Sequence, residues 1–88
     1  MQLILYSKPG CHLCEGLQEK LEKIEALDIN LEIRDITTQS DWMEAYQYSI
    51  PVLTYPTPEG EKTIPRFSPR ASVTQVERML KKYFGISS

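Results

Sequence analysis

Leu3-Ile4-Leu5-Tyr6-Ser7-Lys8-Pro9-Gly10-Cys11-His12-Leu13-Cys14-Glu15-Gly16-Leu17-Gln18-Glu19-Lys20-Leu21 is the stretch on which the fold turns. Residues 3–6 are an apolar run suited to a buried strand, and Ser7-Lys8-Pro9-Gly10 stops it abruptly. From Cys11 the pattern becomes helical. Leu13, Leu17, Leu21 and Ile24 recur at helical spacings, the glutamates and lysines fall mostly between them, and Glu19 with Lys23 makes a favourable i, i+4 pair. The spacing predicts a helix from Cys11 or His12 to residue 27.

Downstream, residues 30–36 alternate apolar and polar, with Leu31 and Ile33 on one side and Glu32 and Arg34 on the other. A strand, a helix and a second strand make a βαβ unit, parallel and right-handed in its crossover. A short helix is expected over residues 40–47, capped by Ser40 or Thr38, with Trp42, Met43 and Tyr46 as its core face. Ile50-Pro51 then introduces the strand Val52-Leu53-Thr54-Tyr55. Pro56, Pro58 and Gly60 turn the chain, and residues 61–64 return antiparallel. The last helix carries a Ser72-x-x-Gln75 capping box. Its apolar stripe is Val73, Val76, Met79, Leu80, Tyr83 and Phe84, and Gly85 stands at its C-terminal cap. The order is βαβαββα: an α/β fold with a four-stranded mixed sheet flanked by three helices.

The 88 residues support one domain, 1–88, with no room for a second core. Hydrophobic residues make up 41% of the chain and charged ones 25%, the composition of an ordinary globule. A formal charge of −2, with both signs interspersed, gives no reason to expect nucleic acid as a partner. The N-terminal apolar run is too short for a membrane span and lacks the flanks of a signal peptide, so a cytoplasmic location is expected. A monomer is expected too, because no large apolar helix face remains once the core is filled.

In that compartment thiols are kept reduced, and a bridge between cysteines with only two residues between them constrains the unfolded chain very little. Catalysis or metal binding is therefore the better reading of Cys11 and Cys14. A closed zinc site needs four ligands. Two cysteines and one histidine fall short without a dimer or carboxylates, so no metal is expected. Disulfide exchange needs an attacking thiolate and a second thiol to release the mixed disulfide. A C-x-x-C after a strand and at the start of a helix supplies both. Cys11 would meet the unpaired N–H groups and positive end of the helix, and such motifs bring a thiol from about 8.5 down to between about 3.5 and 7.5. Cys14, one turn on, would be the less exposed thiol. Lys8 either supports the thiolate, holds a substrate carboxylate, or is a solvated loop residue. His12 either adds positive charge beside Cys11 or is simply exposed.

LYSKPGCHLCEGLQEKL, followed by SIPVLTY, resembles the glutaredoxin branch of the thioredoxin superfamily, and is similar to its small bacterial and cyanobacterial glutaredoxin-like domains. The resemblance implies a thiol–disulfide oxidoreductase in which Cys11 is the nucleophile and Cys14 the resolving thiol. It implies a cis peptide bond before Pro51, facing the cysteines. It also implies that Ile50 offers backbone groups to an extended substrate and that Lys8 holds a glycine carboxylate of glutathione. Substrates would be protein or glutathione-mixed disulfides, and glutathione or a reductase would return the electrons. No bound cofactor is implied. An iron–sulfur cluster carrier and a non-catalytic adaptor of the same fold are the alternatives.

Three positions depart from the family pattern. Leu13 replaces the tyrosine of C-P-Y-C, so His12 and Leu13 would line the groove with Ile50 and Pro51. Arg66-Phe67-Ser68-Pro69-Arg70 stands where a Gly-Gly pair is usual, and no acidic residue follows it at Ala71 and Ser72. Glutathione is thus left open as a co-substrate. Arg66 and Arg70 belong either to a solvated loop or to a contact for an anionic or protein partner.

Overall fold

A run of residues apolar on both faces suits a strand covered on both sides, and Leu3, Ile4, Leu5 and Tyr6 are all buried. They lie in β1 (Gln2–Ser7), which pairs parallel with β2 (Asn30–Asp35) and antiparallel with β3 (Val52–Thr57). β3 in turn pairs antiparallel with β4 (Gly60–Thr63). The sheet order is β2-β1-β3-β4 in this computed structural model, which describes residues 1–86. The helices are α1 (His12–Glu22), α2 (Ser40–Tyr46) and α3 (Val73–Phe84), with a 3-10 turn at Ile36–Thr38. The expected βαβαββα order and mixed sheet are what the chain adopts.

Alternation along the inner strands divides the core in two. Leu3, Leu5 and Leu53 face α1 and α3, packing with Leu21, Val76 and Leu80. Ile4, Tyr6 and Val52 face the other way, onto Ile36 and the α2 residues Trp42, Met43 and Tyr46. α3 has the expected ends. Ser72 and Gln75 exchange side-chain and backbone hydrogen bonds in a capping box, and Gly85 takes the left-handed conformation at φ 68°.

Several boundaries depart from the sequence expectation. α1 stops at Glu22, where the Lys23 N–H turns back to the carbonyls of Glu19 and Lys20. Ile24 and Leu27 are buried all the same; they continue the helical spacing from an irregular crossover, which is why the pattern overran the helix. Leu13 leaves the core stripe altogether and is 52% exposed. Residue Gln39, not Ser40 or Thr38, is the N-cap of α2, and no side-chain hydrogen bond caps that end. Thr38 instead gives its hydroxyl to the Asp35 carbonyl. Ile33 is exposed while Leu31 packs on the core, because β2 is an edge strand and only part of it is covered. β3 runs on through Pro56, so the turn to β4 is tighter than expected.

Candidate functional site

Pro9 and Gly10 end β1 in a turn that the Cys11 N–H closes by donating to the Lys8 carbonyl at 3.2 Å. Gly10 sits there at φ 79°, a region open to glycine at little cost. The turn delivers Cys11 as the N-cap of α1, in extended conformation at φ −86° and ψ 99°. Its sulfur accepts the backbone N–H of Cys14 at 3.2 Å, the bond an N-cap side chain makes. Cys11 and Cys14 are joined as a disulfide with a Cα separation of 5.3 Å. Cys11 is half-buried, whereas Cys14 is only 2% exposed. Cys11 is thus the more accessible of the two.

Beside the pair runs a cleft of about 440 Å³. α1 contributes His12, Leu13, Gly16, Leu17 and Lys20 to one wall, and residues 63–69 form the other. Pro51, Val52 and Leu53 line its floor, and the Ile50–Pro51 peptide bond is cis. Two cations brace the second wall. Arg66 donates to the Ser49 carbonyl at 2.9 Å, and Lys20 donates to the Pro69 carbonyl at 2.9 Å.

The residues singled out from sequence fall into two groups. His12, Leu13 and Pro51 lie on the cleft. Ile50 packs its side chain on the α2 side of the sheet, and its N–H donates to the Tyr46 carbonyl at 3.1 Å. Lys8 is exposed in the turn before Cys11 and is not part of the cleft lining. His12 is exposed and stands 3.7 Å from the Glu15 carboxylate. Lys20 is the residue that sequence reading passed over. Its signal was present, since it shares the Leu13–Leu17 face of α1 at helical spacing.

The chemistry open to this arrangement follows from the cap. Once the disulfide is reduced, a negative charge on Cys11 sulfur would accept a backbone N–H and lie at the positive end of α1, both favouring thiolate over thiol. The buried neighbour lacks that advantage and is positioned to close the bond.

The profile of the glutaredoxin-like domain family (DUF836) matches residues 2–81. Among solved structures, the X-ray structure of target protein XcR50 from X. campestris is 26% identical. The match covers 91% of this chain and 96% of that one, with a TM-score of 0.62. Thioredoxin 1 from Thermosipho africanus TCF52B is 22% identical over 98% of this chain and 97% of its own, with a TM-score of 0.63. That likeness is one of fold. No curated protein matches the sequence.

Proposed function

Since the chain belongs to the glutaredoxin-like domain family (DUF836), we propose that it is a dithiol disulfide reductase with Cys11 as nucleophile and Cys14 as resolving thiol. The observation that supports this reading is the 3.2 Å contact from the Cys14 N–H to the Cys11 sulfur at the N-cap of α1, with Cys14 buried beside it.

In the reduced protein the Cys11 thiolate attacks one sulfur of a substrate disulfide. A bond forms between Cys11 and that sulfur, and the second substrate sulfur leaves as a thiolate and takes a proton. Cys14 then loses its proton and attacks Cys11 sulfur, releasing the first substrate sulfur as a second thiol. Two electrons have passed to the substrate, and the protein holds the Cys11–Cys14 disulfide. Two molecules of glutathione, or one dithiol of a reductase, would return those electrons. The cis Pro51 floor and the α1 wall would hold the substrate beside Cys11, with Leu13 in apolar contact.

The test is the alkylation rate of the fully reduced protein against pH, with each modified cysteine mapped by mass spectrometry. The expected result is an inflection at Cys11 well below the ordinary thiol value of about 8.5, with Cys14 reacting slowly. Should Cys11 titrate like a free thiol, or Cys14 react first, the reductase reading falls and an adaptor role replaces it.

A further inference from the structure

The chain carries 12 acidic and 10 basic residues, so a random stretch of its surface would show both signs. The cleft and the depression beside it show one. Ser68 also lines a second, more open depression of about 420 Å³, together with Arg70, Ala71, Gln75, Arg78 and Met79. Lys20, Arg66, Arg70 and Arg78 line the two depressions, and no aspartate or glutamate lines either one. Lys20 and Arg66 are tied to backbone carbonyls, which fix their direction without neutralising their charge. Neither Arg70 nor Arg78 makes a salt bridge among the described residues. Each depression also carries one exposed apolar side chain, Leu13 next to the cysteines and Met79, 40% exposed, on α3.

Building on the reductase reading above, we infer that the substrate is an acidic polypeptide disulfide, docked with its cystine at Cys11 and a carboxylate-bearing segment along Arg66, Arg70 and Arg78. The division of the positive charge between two depressions that share only Ser68 favours a chain over a small anion. The need for a disulfide selects a polypeptide over other polyanions. Electrostatic complementarity of this kind raises encounter rates and discriminates between partners more than it deepens affinity.

The test uses three synthetic peptides with the same disulfide, flanked by Asp and Glu, by Ser and Asn, or by Lys and Arg. Glutathione disulfide and the neutral 2-hydroxyethyl disulfide are run beside them. At low ionic strength kcat/KM for the acidic peptide is expected to exceed that for the basic one by about tenfold or more, the gap closing near 1 M salt where screening acts over about 3 Å. In the double variant Arg70→Glu, Arg78→Glu the acidic-to-basic ratio should fall to about one or below, and the neutral pair Arg70→Gln, Arg78→Gln should lie between. Equal rates for the three peptides overturn the inference while leaving the reductase reading intact. So do a ratio that survives both double variants, and a preference for glutathione disulfide over the acidic peptide. Failure of the unaltered protein to reduce any of the disulfides overturns the reductase reading itself.

Discussion

The Tyr6 hydroxyl donates to Oε1 of Glu61 at 2.7 Å, joining β1 to β4 although β3 lies between them in the sheet. The same carboxylate oxygen accepts the Thr54 hydroxyl from β3 at 2.7 Å, and Arg34 from β2 reaches the Tyr6 oxygen at 2.9 Å and Glu61 Oε2 at 3.2 Å. Arg34 is further held by Glu32 and lies over the rings of Tyr6 and Trp42. All four strands contribute to this network, on the sheet face opposite α1. Tyr6 is 2% exposed, so its hydroxyl needs these partners.

Removing the hydroxyl should therefore cost about as much as one ordinary hydrogen bond, and removing the carboxylate that several donors share should cost more. Tyr6→Phe is expected to destabilise the fold by about 1 kcal/mol, and Glu61→Ala by about 1–3 kcal/mol, since the latter leaves the Tyr6 and Thr54 hydroxyls without their acceptor and takes one of Arg34's partners. The two changes should not add: a double-mutant cycle in urea should give a coupling of at least about 0.5 kcal/mol. Additivity within error would show that the hydroxyl and carboxylate act independently.

Stability should respond to pH at both extremes. Burial, then the bond to Glu61, pushes Tyr6 up from 10.0 to about 12. Above pH 10 the unfolded chain loses this proton before the native one does, so the native state binds more protons and stability falls as pH rises toward 12. Glu61 runs the other way. Burial disfavours its carboxylate, but the hydrogen bonds from Thr54 and Tyr6 and the charge of Arg34 outweigh that and hold it below its ordinary value. Its contribution is present at neutral pH and is lost as pH falls through the lowered value. Melting temperature against pH, for the native protein and Tyr6→Phe, checks the alkaline side: the fall between pH 10 and about 12 should be shallower in the variant. Parallel curves would remove Tyr6 as its source.

This network was out of reach of sequence reading, for reasons that particular residues make plain. A short apolar run marks Leu3 and Leu5 as core, and helical spacing marks Leu21, Val76 and Leu80, because burial there is a matter of local pattern. Tyr6, Arg34, Thr54 and Glu61 lie on four separate strands, and their meeting depends on register. The Cys11-x-x-Cys14 pair was legible because strand, turn and helix start are contiguous in the chain. The far wall of the cleft is only half so: Arg66 stands out in the sequence as a charge, yet its bond to Ser49 and the one from Lys20 to Pro69 cross long sequence separations. Leu13 fits the helical stripe by spacing, but at the N-terminal turn of α1 it is exposed and lines the cleft.

The cap of α3 offers a more local test. Ser72→Ala removes the acceptor of the Gln75 N–H, bonded at 3.1 Å, and strands one half of the capping box. The expected cost is about 1 kcal/mol, with Ser72→Asn close to neutral because asparagine caps as well. Equal losses in both variants would place the effect somewhere other than the cap.

Replacing Cys14 separates the two steps proposed for the cysteines. In the proposed mechanism the Cys14 backbone N–H would support the Cys11 thiolate, and Cys14→Ser retains it. The first attack should therefore proceed, with the pH dependence of Cys11 alkylation little changed. With no second thiol, the reaction should stop at the mixed disulfide. Intact mass would show one substrate half attached, one equivalent of thiol released, and turnover restored only by added thiol. Cys11→Ser should give neither adduct nor released thiol, because the remaining sulfur is buried beneath the surface. Sustained turnover by Cys14→Ser without added thiol would mean that the second cysteine does not resolve the intermediate, and the dithiol mechanism would have to be abandoned for a single-cysteine one.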